Sequence, residues 1–358
     1  MNEAMDKIAP GSPGIVRVEK SAYDALLLVS FGGPEGPDDV LPFLENVLRG
    51  KPVPRERMLE VAEHYYHFGG VSPLNGQNRQ LIAALESELA ARGPRLPIYW
   101  GNRNWPPLLA EALGQMQRDG VRRALAIFTS AFSSYSSCRQ YRENIAAAQQ
   151  AVGADAPAID KLRAFYNHPE FIAAWSERVA DAFAQVPEER RAATELLYTA
   201  HSIPQAMADN CRYVAQLKEA GALVAARVGT ANWRLVYQSR SGSPSIPWLE
   251  PDICDALVDC QARGVSDVVV APLGFLSDHM EVLYDLDTEA RERASELALN
   301  MIRARTIYDH PRFIGMLRDL IVERVEARAD RPAIGIYGAS HDVCPADCCL
   351  PGSRAPRA

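Results

Sequence analysis

Two groups of residues in this chain have types and spacings that could do chemistry. The first is His201, in Thr199-Ala-His-Ser-Ile-Pro204, together with Glu281, Asp285 and Glu289. An imidazole takes a proton near neutral pH or binds a transition metal, and a carboxylate complements either role. Residues 281, 285 and 289 lie four apart, so on a helix they form a file of carboxylates along one face. Like charges at this spacing repel unless a cation or protons offset them. With His279 two residues before Glu281, the file is a candidate metal path. The second group is the tail motif Cys344-Pro-Ala-Asp-Cys348-Cys349. Three thiolates need a fourth ligand from elsewhere, and Cys138 is the outstanding candidate. A Cys₄ set suits a structural Zn²⁺ or an Fe–S cluster, and spacing does not choose between them. The scattered Cys211, Cys254 and Cys260 are expected to be buried small hydrophobes.

The elements that must position these residues alternate. Val268-Val-Val-Ala271 is an apolar, β-branched run of the kind found in buried strands, and Pro272-Leu-Gly274 breaks it. Ser277 or Asp278 is expected to cap the helix that follows. Asp24 to Ser30 reads as a buried strand ending at Gly32-Gly33. A helical pattern over 38–49 follows, then an aromatic stretch over residues 55–79, a helix over 77–92 and a strand over 98–103. Helix 106–119 and strand 123–130 come next. This rhythm predicts βαβ units with parallel strands and right-handed crossovers.

The same order then recurs. Glu195-Leu-Leu-Tyr-Thr-Ala-His201 repeats the opening strand, and residues 234–240 echo 98–103. Residues 267–275 echo 124–132, and Tyr166-Asn-His-Pro-Glu-Phe-Ile172 returns as Tyr308-Asp-His-Pro-Arg-Phe-Ile314. The expected organisation is an N-terminal extension (1–23), one lobe (24–165), a His-Pro connecting helix (166–192), a second lobe (193–307), a closing helix (308–327) and a cysteine-containing tail (328–358). Matched positions differ in type: Phe31 stands where the second half has His201, and Cys138 where it has Glu281. The polar chemistry is therefore one-sided, a single site between two lobes. Both His201 and Glu281 leave the carboxyl ends of strands, where open α/β sheets bind ligands.

Composition bounds the rest. The 358 residues are 47% hydrophobic and 23% charged, which describes a soluble globular protein with ample core. A net charge of −7 argues against nucleic acid as a partner. No apolar run approaches the ~18 residues of a membrane span, and residues 1–20 lack a signal-peptide apolar region, so a cytoplasmic location is expected. Seven cysteines in a leaderless chain argue against a disulfide framework. Gly-Gly-Pro-Glu-Gly36 lacks the order of a dinucleotide fingerprint, and Gly-Phe-Leu-Ser-Asp278 is not a nucleophile elbow. The sequence does not fix the oligomeric state; a monomer is expected.

Five motifs together resemble the ferrochelatase family over about residues 24–349. They are Leu28-Val-Ser-Phe-Gly-Gly-Pro-Glu-Gly36, Phe68-Gly-Gly-Val-Ser-Pro-Leu-Asn75, Tyr135-Ser-Ser-Cys-Arg-Gln-Tyr-Arg-Glu-Asn144, Thr199 to Pro204, and Leu276-Ser-Asp-His-Met-Glu-Val-Leu-Tyr-Asp-Leu-Asp287. The variants are most similar to the actinobacterial-type branch, many of whose members insert iron into coproporphyrin III. The resemblance implies two Rossmann-like lobes with parallel four-stranded sheets, and a lyase that completes haem or a haem precursor. His201 and Glu281 would face the metal, His201 as the base for pyrrole protons and Glu281 receiving Fe²⁺, with Asp285 and Glu289 as an acidic line behind. A π-turn is implied in that helix, and bending of the macrocycle on binding. Ser72 and Tyr141 match positions that contact propionates. Phe31 stands where some bacterial members carry an iron-ligating Tyr, so ligation from that face is not expected. The cysteines Cys138, Cys344, Cys348 and Cys349 fit the subset carrying a [2Fe–2S] cluster. The porphyrin expected is coproporphyrin III, with protoporphyrin IX as the alternative. More remote are a chelatase for another metal and tetrapyrrole, such as cobalt and sirohydrochlorin, and a porphyrin or haem carrier. The aromatic stretch His64-Tyr-Tyr-His-Phe68 is expected to form a lip of the cleft.

Overall fold

The computed structural model describes residues 22–50, 53–242 and 245–352. Two parallel four-stranded sheets form the frame. The first contains β1 (Ala25–Ser30), β2 (Ile98–Asn102), β3 (Arg123–Phe128) and β4 (Ala158–Lys161), in the order β2-β1-β3-β4. The second contains β5 (Glu195–His201), β6 (Trp233–Gln238), β7 (Asp267–Ala271) and β8 (Asn300–Arg303), in the order β6-β5-β7-β8. The central strands β1 and β7 are buried at every residue, as strands covered by helices on both faces must be. The short outer strands β4 and β8 carry polar residues and no clean apolar period, and only the sheet pairing reveals them.

The repeated His-Pro motif has a common physical basis. His168 and His310 each cap a helix, Pro169–Phe183 and Pro311–Val325, with proline at the first position. In each, the imidazole Nδ1 accepts a hydrogen bond from the backbone N–H two residues on, Glu170 at 3.2 Å and Arg312 at 3.3 Å. The two helices pack against each other and bury Phe171 and Phe313, whose rings lie 5.9 and 6.1 Å from that of Phe165. One apolar core runs from Leu26 and Leu28 of the first sheet through Trp175 and Leu317 to Leu196 and Tyr198 of the second.

The tail does not trail away. After the last helix it crosses back to the junction of the first lobe and the connecting segment, where the Asn167 carbonyl accepts from the Ile334 N–H and its side-chain amide donates to the Gly338 carbonyl. Arg163, fully buried, pairs bidentately with Glu323 at 2.8 and 3.0 Å and donates to the Pro332 carbonyl at 2.9 Å. Helix starts differ from the sequence expectation in one instructive place. The helix expected from 77 begins at Pro73, because buried Ser72 supplies the cap.

The buried His168 imidazole is held below its ordinary value, at about 4, chiefly by loss of solvation and then by Arg163. The unfolded chain takes up this proton near pH 6.5 and the folded protein only near 4, so stability falls as pH drops through that window. The effect is bounded at about 3 kcal/mol. His168→Asn, which keeps a capping acceptor, is expected to flatten that loss; urea denaturation at pH 7 and pH 5 measures it.

Candidate active site

His201 is the last residue of β5 and lies opposite Gln238, the last residue of β6. Its ring is oriented from behind: Nδ1 donates to the Ser202 carbonyl at 2.5 Å, which leaves the Nε2 lone pair on the side of Glu281. The Tyr213 hydroxyl donates to the His201 carbonyl at 3.2 Å. The ring is one-third exposed.

Glu281 approaches this imidazole because the turn after β7 lies against β5. Gly274 makes the approach possible: a Cβ there would stand 2.7 Å from both Cα and Cβ of Ala200. Glu281 Oε2 then lies 3.6 Å from His201 Nε2 and 3.9 Å from His279 Nδ1, half-exposed between two imidazoles. Burial lowers the His279 pKa, which favours the neutral ring that binds metals.

The helical stretch holding the carboxylates is not a regular α-helix. Met280–Val282 is α-helical, Leu283–Glu289 forms a π-helical segment, and Ala290–Glu296 returns to α. The wider π turn re-aims Asp285 and Glu289. Asp285 accepts from Ser239 and, at 3.2 Å, from Gln238, whose amide also donates to the Glu281 carbonyl at 3.3 Å. Burial pushes the Asp285 carboxyl up to about 7. Glu289 is also raised, by burial and by Asp252. Neither Ser277 nor Asp278 caps this helix, contrary to the sequence expectation; His279 occupies the position without a side-chain bond. Asp278 instead binds Arg303, Thr306 and Gln77, the last a bond between lobes.

The aromatic stretch is the second half of helix Arg55–His67, and it covers the acidic helix as a lip. His64 stacks on Tyr284 with centroids 3.6 Å apart, and Met280 is buried among Val40, Phe43 and Tyr65. Phe31, at the end of β1, packs edge-on against Phe43 in the same cluster. Arg103 lies over the Phe31 ring at 5.6 Å, and among the described residues no carboxylate pairs with its half-buried guanidinium. Sequence reasoning missed it; an arginine two residues past an apolar strand stretch carries no special pattern. Ser72 and Tyr141 are both buried. Ser72 caps the helix Pro73–Arg92, and the Tyr141 ring packs on Phe128.

The cysteines converge at the far end of the first lobe. Cys138 lies in a second π-helical segment, Tyr135–Arg139, at the place in the first half that the acidic segment occupies in the second. Arg139 ties this segment to the tail, donating to the carbonyls of Ala346 and Cys348 at 2.8 and 3.0 Å. The Cys138 and Cys344 thiols share a hydrogen bond, which raises the first pKa and lowers the second. Cys348 and Cys349 have sulfurs 3.5 Å apart. Lys161 and Arg142 both lower the Cys344 pKa. Nearly buried Lys161 reaches only the Leu162 carbonyl, and the Arg142 Nε is buried without a partner; no carboxylate pairs with either among the described residues. Four thiols in two close pairs beside unpaired cations suit a polyanionic, thiolate-bound group. Cys211, expected as an isolated hydrophobe, is half-buried with Cys348 and Cys349 close enough to act on it or feel its charge. Cys260 is buried, as expected, although its sulfur accepts from Arg234.

Comparison with known proteins gives three findings. The family model described as ferrochelatase matches residues 23–325. A ferrochelatase of Rhodopirellula baltica is 58% identical over 94% of this chain and 96% of its own, and a coproporphyrin III ferrochelatase of Streptomyces griseus is 51% identical over 95% and 96%. The solved structure of SirB from Bacillus subtilis with Fe³⁺ superposes with a TM-score of 0.54 at 14% identity, covering 86% of this chain and 98% of that one, a likeness of fold.

Replacing Gly274 with alanine forces the β7 turn away from β5. The expected result is a loss of about 1–3 kcal/mol of stability by chemical denaturation. Weaker binding of a divalent ion at the His201–Glu281 pair, read by calorimetry, should accompany it.

Proposed function

The chain belongs to the ferrochelatase family, and from that premise we propose that it inserts Fe²⁺ into coproporphyrin III during haem biosynthesis, releasing two pyrrole protons. The observation that carries the reading is the His201 Nε2–Glu281 Oε2 pair, 3.6 Å apart at the carboxyl edge of the second sheet under the lip. With Nδ1–H fixed on a carbonyl, Nε2 is the free base for a pyrrole proton. Glu281 receives the ion with His279 alongside, and Asp285 and Glu289 extend the carboxylate line by which iron enters and protons leave. Asp285, raised to about 7 by burial, takes up a proton near neutral pH.

Two features favour coproporphyrin III over protoporphyrin IX. Relatives about half identical, such as that of Streptomyces griseus, are named for coproporphyrin III. Arg103 is a half-buried guanidinium that no carboxylate pairs with among the described residues, suited to an extra propionate. Ser72 and Tyr141, in the same lobe as Arg103, are proposed to contact propionates.

The cysteine group is proposed to hold a [2Fe–2S] cluster through Cys138, Cys344, Cys348 and Cys349. When bound, such a cluster supplies one-electron chemistry and a covalent link between lobe and tail. The chain's own part is to bring the four sulfurs together and to place Lys161 and Arg142 as countercharges. No described helix is long and apolar enough to cross a membrane.

Anaerobic insertion assays with Fe²⁺ and the two porphyrins in parallel test the substrate; faster turnover of protoporphyrin IX would reverse the assignment. His201→Ala is expected to lower kcat by about 10²–10⁴-fold while porphyrin affinity is kept. Insertion that survives this change would remove His201 as the base.

A further inference from the structure

Among the described residues, the tightest set of metal-binding side chains is not four thiols but two thiols and an imidazole. One ring nitrogen of His341 and the sulfurs of Cys344 and Cys348 all lie within 4.8 Å of one another. His341 Nε2 is 3.9 Å from the Cys348 sulfur, and the ring also hydrogen bonds with the Cys344 thiol. A tetrahedral metal with bonds of about 2.3 Å to sulfur and 2.0 Å to nitrogen has donor–donor edges of about 3.5–3.8 Å. The Cys348–Cys349 separation of 3.5 Å and the His341–Cys348 separation of 3.9 Å each lie within about 0.4 Å of the corresponding edge.

The placement of His341 is built, not incidental. Both of its neighbours are pinned by arginines. The Ser340 carbonyl accepts from Arg331 at 2.7 Å, and Asp342 pairs with Arg331 at 2.8 Å and with Arg324 at 3.4 Å. The imidazole is exposed on the solvent side of the thiol group, so it reaches the sulfurs without displacing core residues.

We propose that the cluster site has five donors for four positions: His341 is a ligand in reserve that takes the place of Cys348 on the iron shared with Cys349. This rests on the cluster reading above. A neutral imidazole in place of a thiolate removes one negative charge from the cluster, and histidine ligation raises the reduction potential.

The test compares full-length wild type, Cys138→Ala, Cys348→Ala and Cys348→Ala/His341→Ala, all purified anaerobically. Iron, acid-labile sulfide, the visible spectrum and the reduction potential are measured for each. Cys348→Ala is expected to keep at least about half of the wild-type iron and sulfide, with a shifted visible spectrum and a more positive potential. The double variant and Cys138→Ala are expected to fall below about a tenth. Nitrogen coupling in the pulsed EPR spectrum of reduced Cys348→Ala would identify the imidazole directly. A Cys348→Ala protein as empty as Cys138→Ala, or one whose cluster is unaffected by removing His341, overturns the inference. Wild type lacking acid-labile sulfide overturns the cluster reading and this inference with it, which separates the two failures. Cys348→Ser, of similar volume, repeats the comparison if the alanine variant does not fold.

Discussion

The structure depends on a single apolar core that both sheets share. Trp175, Phe171, Phe313 and Leu317 fill the space between the first sheet, through Leu26 and Leu28, and the second, through Leu196 and Tyr198. Each such side chain contributes on the order of 1.5–3 kcal/mol by leaving water, so the two lobes are held as one body rather than hinged on a linker. The two His-capped helices, each opened by a similar seven-residue motif, both contribute to this joint. The bidentate Arg163–Glu323 pair fixes the last helix against the first lobe from inside; removing either partner alone would strand a buried charge.

With the lobes fixed, each can provide half of the chemistry. The second lobe offers His201 and the carboxylates, and the first supplies the lip that covers them through Met280, Tyr65 and the His64–Tyr284 stack. A charged helix face bearing Glu281, Asp285 and Glu289 is tolerable here because Gln238, Ser239 and a raised Asp285 pKa reduce the repulsion. The segment remains costly to keep negative, which is the condition under which a divalent cation binds well.

The two π-helical segments show how duplication has been put to different ends. Both follow the third strand of their sheet, and both turn side chains out of the regular α-helical track. In the second lobe the turn directs Asp285 to Gln238 and Ser239 beside the end of β6. In the first it presents Cys138 to a tail that returns across the lobe and is held by Arg139. The same backbone irregularity thus serves an acidic path on one side and a sulfur group on the other.

The sequence alone determined the α/β class, the duplication and the parallel strands, because apolar β-branched runs and glycine turns are local properties. It put forward His201, Glu281 and Cys138 because their types differ from those at the matched positions of the repeat, and Cys344, Cys348 and Cys349 because few residue types bind metals. It did not determine the outer strands β4 and β8, whose polar residues follow no burial period. Nor did it indicate that His279 takes the N-cap position without a side-chain bond, or the places of Arg103, Lys161 and His341. Each of these is defined by partners that no local pattern specifies: Asp278 is taken by Arg303 and Gln77, His341 is placed by Arg331 and Arg324, and Lys161 faces Cys138 and Cys344. Local pattern fixes what an element is, but only the closed fold decides which charge meets which, because Coulomb and hydrogen-bond energies depend on distances that chain spacing does not encode.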